Sequence, residues 1–383
     1  MKNPEIPVFS GIYIHVPFCQ SRCIYCDFYS TVYGKDFKDK YVDKLLMEMA
    51  DRKSEVDSHI DTIYIGGGTP SCLHIDHIGK IFKNLTRNFS LAGDSEITLE
   101  ANPDDVTPSF VRSLVDLGVN RVSLGVQSFD DERLRFIRRR HSAHQAVKAV
   151  WTLVENGIDN VSVDLIFGFP NESVISWGKD LEQALSLPVK HLSAYSLMFE
   201  EGTLLTRMRD AGQIDEIDEE LSLRMYDMLL DMTEKKGMEH YEISNFSYPG
   251  FRSRHNSKYW TRAPYVGFGP GAHSFDGVSI RRSNEADLKS YIRLYDNTPH
   301  EIEILGADEL CDEFVFTSLR TKEGLDMERL LSEYGVGRYK QIMMAAEPHV
   351  RSGLLKENEG HLSFTRSGFF LSNLVMSDLM VVE

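Results

Sequence analysis

Cysteine is scarce in this chain. There are five in 383 residues, and three of them, Cys19, Cys23 and Cys26, fall within eight positions. An odd, clustered set does not make the framework of a secreted, disulfide-stapled protein. Long apolar runs are missing as well: none reaches the roughly 18 to 20 residues that span a bilayer. The opening MKNPEIPVFSG has no charged-then-apolar leader pattern. These absences lead to the expectation of a reducing, cytoplasmic setting with no integral membrane segment. Basic charge is short too, with 42 Lys and Arg against 58 Asp and Glu, a formal charge of −16. Such a surface repels bulk nucleic acid and anionic membranes, so nucleic acid is not an expected partner. Any anionic ligand needs a local basic pocket. No solenoid repeat or low-complexity stretch is visible. The chain is 42% hydrophobic and 26% charged, the balance of an ordinary globular protein.

Short β-branched or apolar runs recur at residues 11–16, 62–67, 96–101, 121–126, 161–168 and 191–197. Most are apolar at nearly every position, which predicts strands buried on both faces. Helical patterns lie between them. Val42, Leu45, Leu46 and Met49 share one face of KYVDKLLMEMADRKSE. Thr107 followed by Pro108 predicts a helix start, with Gly118 past its end. Another helix is expected to start after Ser142 and stop at Gly157, and a further one to end at Gly237. Strand–helix alternation repeated six times predicts an α/β fold with a parallel sheet, doubly wound or barrel-like. The motifs PFCQSRC, GGGTP, LEANP, GVQSF and VDLIFG all fall at the C-terminal ends of these strands. In a barrel those ends converge on one site, which favours a partial (β/α)6 TIM-like barrel.

The pattern changes after residue 280. Helical stretches with one HLSFT strand and a helix from Thr365 fit a winged-helix-like α+β domain. Residues 285–383 hold ten basic against 18 acidic side chains, so DNA reading is not expected. The expected division is therefore 1–280 and 281–383, with the boundary near 276–290.

Thiolates are soft ligands suited to zinc, copper(I) and iron–sulfur clusters. The spacing Cys-x3-Cys-x2-Cys supplies three. Structural zinc wants four closed ligands, and Cys72 and Cys311 are isolated. His15 is a poor fourth candidate because Pro17 and the strand direction make its approach awkward. Three cysteines in a loop with Gln20, Ser21 and Arg22 are also poor core material.

CQSRCIYC closely resembles the signature of the radical S-adenosylmethionine (SAM) superfamily, with an aromatic residue, Tyr25, before the last cysteine. The resemblance implies a [4Fe–4S] cluster held by Cys19, Cys23 and Cys26. Its fourth iron would take the amino and carboxylate groups of SAM. In that family the reduced cluster passes an electron to the sulfonium and gives a 5′-deoxyadenosyl radical; the cofactor supplies the hard chemistry. By the same resemblance Tyr13, Tyr25, Gly67, Gly68, Thr69, Glu100, Gln127, Arg139 and Asp164 are assigned to SAM, with the GGGTPS segment cradling its amino group. Glycines permit close backbone approach. Carboxylates suit the ammonium and ribose hydroxyls, and arginine suits the carboxylate.

Beyond the cluster motif, IYIHVPFC, GVQSF, VDLIFGFP, YSLMFEEGT, YEISNFS and HNSKYWTRAPYVGFGPGAHS resemble the coproporphyrinogen-dehydrogenase-like group over nearly the whole chain. Two features favour its HemW-type heme-chaperone branch. The dehydrogenases carry a further cysteine two positions after the third, where this chain has Phe28. HNSKYW matches the His-Asn-x-x-Tyr-Trp motif of the chaperones. The resemblance implies heme held by His255, Asn256, Tyr259 and Trp260, an imidazole being a common axial ligand. Arg252, Arg254 and Arg262 are expected to pair with propionates, and His273 is a weaker second histidine. It also implies an acceptor hemoprotein, an electron donor such as flavodoxin or an NADH-linked reductant, and allows a homodimer. It leaves open whether SAM is cleaved or serves as a cluster ligand. The alternative is oxygen-independent coproporphyrinogen III dehydrogenation, with Tyr13 near the substrate.

Overall fold

Ile12, Ile14 and Val16 alternate with Tyr13 and His15 along β1 (Gly11–Val16), and the same alternation runs through the strands beside it. These are β2 (Ile60–Gly67), β3 (Leu91–Ala101), β4 (Arg121–Gln127), β5 (Asn160–Phe167) and β6 (His191–Ser196). The computed structural model describes residues 11–56, 59–294 and 298–380. The leader expectation for the opening segment falls mostly on residues 1–10, outside this range. All six expected runs form strands, and β1 to β6 pair in parallel in chain order. Helices Lys35–Asp51, Ile75–Asn88, Pro108–Asp116, Ala143–Glu155 and Val174–Ser186 return the chain between them.

The expectation of strands apolar on both faces is corrected. One face is apolar: Ile14, Ile65, Leu99, Leu124 and Val163 bury against Val42, Leu45, Ile78, Phe82 and Ala149 of the helices. The other face carries Tyr13, Tyr64, Glu100, Ser123, Asp164 and Ser193, one from each strand, and all line a single cavity. Six strands can face one cavity only if the sheet curls, which makes this a partial barrel. Its interior is polar because it is a site and not a packed core.

The helix signals hold. Thr107 accepts from Phe110 N, and Ser142 forms a capping box with Gln145. Gly118, Gly157 and Gly237 follow their helices with φ of 90°, 102° and 77°.

The sheet is larger than the six units. It continues through β7 (Glu239–Glu242), β8 (Asn245–Ser247), β9 (Tyr265–Phe268), β10 (His273–Phe275), β11 (Ile280–Asn284) and β12 (His300–Ile304). The order is β12-β11-β10-β9-β1-β2-β3-β4-β5-β6-β8-β7, an open sheet. β9 runs parallel to β1, and the additions beyond it are antiparallel. The expected boundary at 280/281 falls at the first residue of β11, where Arg281 is in register with Glu303. β11 and β12 escape a hydrophobicity reading because they are short and largely exposed.

After Ile304 a second core begins, built on Cys311, Phe314, Leu330, Ile342, Leu362, Phe364 and Val375. It holds helices Ala307–Leu319 and Met327–Arg351, the latter interrupted at Gly335 with φ 81°. Three short strands, β13 (Leu325–Asp326), β14 (Leu355–Asn358) and β15 (His361–Phe364), pair antiparallel in the order β13-β15-β14. Helices with a small hairpin match the winged-helix-like expectation, and Thr365 caps the helix after it.

Candidate functional site

Residues 17–31 form a loop pinned at its neck. Cys19 N donates to Thr31 O at 2.8 Å, and Thr31 N donates to Pro17 O at 2.8 Å. At its far side Ile24 sinks among Ile137, Ile166, Phe169, Leu197 and Leu205. Burying that one apolar residue leaves Cys19, Cys23, Tyr25 and Cys26 lining the cavity. The three thiols are unpaired. Thr69 Oγ1 donates to Cys19 Sγ at 3.5 Å, and Arg139 Nη1 donates to Cys23 Sγ at 3.6 Å. Burial pushes the Cys26 thiol up to about 11.

This donor set fits an iron–sulfur cluster. Hydroxyl and guanidinium donors already point at two of the sulfurs, the kind of contact that tunes a cluster's potential. Among the described residues no three His, Cys, Asp or Glu side chains converge on a single ion. A cluster makes no such demand, because each thiolate takes a different iron.

The GGGTP glycines also serve close packing within the protein. Gly67 sits at φ 109°, and a Cβ there would lie 2.7 Å from the His15 ring. A Cβ on Gly68 would lie 2.7 Å from the Phe18 carbonyl oxygen. The close backbone approach is to the cysteine loop itself, with Gly68 N donating to Val16 O at 2.9 Å. Gly67, Gly68 and Thr69 nonetheless border the cavity.

Above them the acids are half-buried. Glu100 accepts from Tyr64 OH at 2.7 Å and Gly67 N at 3.1 Å. Burial, the strongest influence, raises its carboxyl to about 7. Asp164 accepts from Ser123 at 3.2 Å and is likewise raised by burial. Gln127 has φ 69°, at a register break between β4 and β5, a conformation that non-glycine residues hold only under constraint. Arg139 donates through Nη2 to Asn102 Oδ1 at 2.6 Å and to Gly125 O. Tyr13, Tyr25, Gly67, Gly68, Thr69, Glu100, Gln127, Arg139 and Asp164 all line the one cavity, whose volume is about 1030 Å³.

The HNSKYW segment forms helix Arg254–Thr261, started by Ser253, whose side chain accepts from Asn256 N. Asn256 and Tyr259 reach the cavity. His255 does not present a free nitrogen. It is fully buried, with Nδ1 bonded to Thr62 Oγ1 at 2.9 Å and Nε2 to Tyr259 OH at 3.0 Å. Its ring stacks on Tyr64 at 5.3 Å. Burial, then Lys258 and Arg121, lower its pKa to about 3, so it is neutral near pH 7. Trp260 lies elsewhere, under the Arg320 guanidinium at 4.8 Å. The three arginines expected on propionates are engaged with acids: Arg252 with Glu239 and Glu323, Arg254 with Asp61 and Asp94, Arg262 with Glu313. They hold the helix in place. His273 is exposed at the cavity rim.

Several lining residues escaped the motif reading, among them Tyr64, Arg121, Ser123, Tyr195 and Met198. Period-two alternation was the signal available: Arg121, Ser123, Gly125 and Gln127 share one face of β4.

Two family profiles match the chain: the radical SAM superfamily over residues 13–184 and the HemN C-terminal domain over 305–371. The heme chaperone HemW of Lactococcus lactis subsp. lactis is 31% identical over 373 residues, covering 97% of both chains. The heme chaperone HemW of Bacillus subtilis is 33% identical, covering 95% of this chain and 97% of that one. Among solved structures, the radical SAM coproporphyrinogen III oxidase HemN of Escherichia coli superposes with a TM-score of 0.85 at 21% identity. That match covers 99% of this chain and 91% of that one, and establishes a shared fold. The chain therefore belongs to the HemW heme-chaperone family of the radical SAM superfamily.

Proposed function

We propose that this protein binds heme and passes it to an acceptor hemoprotein, and that it carries a [4Fe–4S] cluster on Cys19, Cys23 and Cys26 with SAM beside it. One observation carries the reading. The three cysteines, the nine residues assigned to SAM, and Asn256 and Tyr259 of the HNSKYW helix open on a single cavity of about 1030 Å³. That volume is at the upper end of what small-molecule sites enclose. The heme-chaperone names of the Lactococcus and Bacillus relatives support the same reading.

The residues divide the work by chemistry. A cluster held by Cys19, Cys23 and Cys26 would offer one-electron chemistry to SAM beside it. Thr69 and Arg139 hold the Cys19 and Cys23 sulfurs in place from the protein side. Glu100 and Asp164 offer carboxylates to the SAM ammonium and ribose, and Arg139 offers a guanidinium to its carboxylate. Phe28 stands 65% exposed at the cavity, where the dehydrogenases have a cysteine. His255 can serve heme iron only when the Tyr259 hydroxyl gives up Nε2, so we assign Tyr259 the role of a gate over that imidazole. A cytoplasmic location, an electron donor and a homodimer belong to this proposal as well.

Anaerobic reconstitution with iron and sulfide, followed by heme titration and an assay for 5′-deoxyadenosine, tests it. Stoichiometric heme uptake by the cluster-loaded protein is the expected result. Conversion of coproporphyrinogen III to protoporphyrinogen, without heme uptake, would replace this reading with the dehydrogenase one.

A further inference from the structure

Arg121 is a fully internal arginine without the partners such a residue needs. It is 1% exposed, at the first residue of β4. Its Nε and Nη1 are buried with no hydrogen-bond partner among the described residues. Leaving a buried guanidinium unpaired is strongly unfavourable, and the great majority of buried polar groups are bonded. Nε and Nη1 have no exposed surface, so a ligand in the cavity that Arg121 borders would meet its Nη2 end. A built site with one component missing has this appearance.

Its surroundings narrow the missing component. Glu100 and Asp164 feel the arginine's charge, but their bonds go to Tyr64 and Gly67, and to Ser123. Glu96 is taken by the backbone N–H groups of Arg254 and His255. His191 and His255 are each held by burial well below the range in which histidine ionises, so neither adds a cation. Tyr64 and Tyr241 are hydrogen-bonded phenols. Arg121 is thus left without an ion pair or hydrogen bond among the described residues, a fixed cation of the kind a carboxylate fits.

Position sets this group one layer below the nearest SAM residue: Glu100 is in register with Ser123, two residues up β4 from Arg121. From Arg121 to Gln127 the strand runs six residues, about 20 Å at the usual rise per residue. Arg121 is therefore at the floor of the barrel, on the side of His255, while the cysteines are at its mouth. We propose that Arg121 is the receptor for a carboxylate arm of the tetrapyrrole, a propionate, at the cavity floor. This rests on the heme reading. It also explains why Arg252, Arg254 and Arg262 can all be spent on acids of the protein itself.

The test compares hemin with hemin dimethyl ester on the cluster-loaded wild-type protein, so it needs no mutation. Hemin is expected to bind at least ~10-fold tighter, a difference appropriate to one charge-assisted pair. R121Q should abolish that preference and R121K should recover part of it, since lysine keeps the charge and loses the planar guanidinium. Equal binding of acid and ester by wild-type protein overturns the proposal and leaves the heme reading standing. No uptake of hemin by wild-type protein overturns both. An R121Q protein that loses SAM binding but takes up hemin normally also overturns it, because the arginine would then serve the nucleotide. Should R121Q not fold, the ester comparison decides alone.

Discussion

The hydroxyl of Tyr259 stands between His255 Nε2 and the cavity, bonded to the imidazole at 3.0 Å. A single neutral hydrogen bond of this kind contributes about 1 kcal/mol net. Tyr259→Phe removes the competitor and leaves the ring. Heme affinity should rise by up to ~5-fold in Tyr259→Phe and fall at least ~10-fold in His255→Ala. Optical titration with hemin measures both. If both variants bind as the wild type does, His255 has no part in heme binding.

The cluster assignment separates Cys72 from its three companions. Cys72 donates to the Phe18 carbonyl at 3.4 Å, with burial raising its thiol to about 11. Cys19→Ser, Cys23→Ser and Cys26→Ser should each lose most of the bound iron and sulfide after reconstitution. Cys72→Ser should keep a full complement. Iron and acid-labile sulfide analysis distinguishes them, and a Cys72→Ser protein without cluster would require a different ligand set.

Gly68 carries the contact between the glycine motif and the cysteine loop. With the Phe18 carbonyl oxygen 2.7 Å from a Cβ at this position, Gly68→Ala must push two backbones apart. A loss of about 1–3 kcal/mol is expected, the range for overpacking a tight site, together with poorer cluster retention. Urea unfolding of the cofactor-free protein gives the first quantity. An unchanged midpoint would mean the loop moves freely.

Glu100 makes the empty protein sensitive to pH. Its carboxyl is near 7 in the folded chain against 4.5 for the ordinary group, chiefly through burial. The folded state thus holds its proton more tightly. That contribution is complete below about pH 4.5 and is lost as the pH rises through about 7. In Glu100→Gln the fall in stability across this window should shrink, by on the order of 3 kcal/mol at most. Urea midpoints measured at several pH values report it. Parallel pH profiles for the two proteins would show that Glu100 is solvated.

Legibility in the sequence followed physical regularity. The six strands and their helix starts were readable because β-branched runs and caps such as Thr107 and Ser142 are local signals. The cysteine loop was readable because three thiols at fixed spacing have few bland explanations. The polarity of the barrel interior was harder. Strands such as VSVDLIF look apolar throughout until Asp164 and Ser162 are assigned to one face and Val161 and Val163 to the other. β11 and β12 were missed because they are recognised by pairing, not by hydrophobicity. That His255 and Trp260 do not line the cavity was not readable for a related reason: a residue's type does not say which way its helix turns. Arg121 carried no motif, and only its missing partners in three dimensions mark it.

The clamp around Glu48 has a bearing on how the site is assembled. Glu48 accepts from Arg52, Gly269 N, Asn284 and Tyr291, so one carboxylate from the first helix fastens β11 and the chain beyond β9 to β1. Asn284 and His273 lie on that fastened flank and form one wall of the cavity. During synthesis the cysteine loop emerges well before this wall exists. Cofactor loading on a nascent or truncated chain would thus meet a half-open vessel, and retention should begin only once residues near 291 have docked.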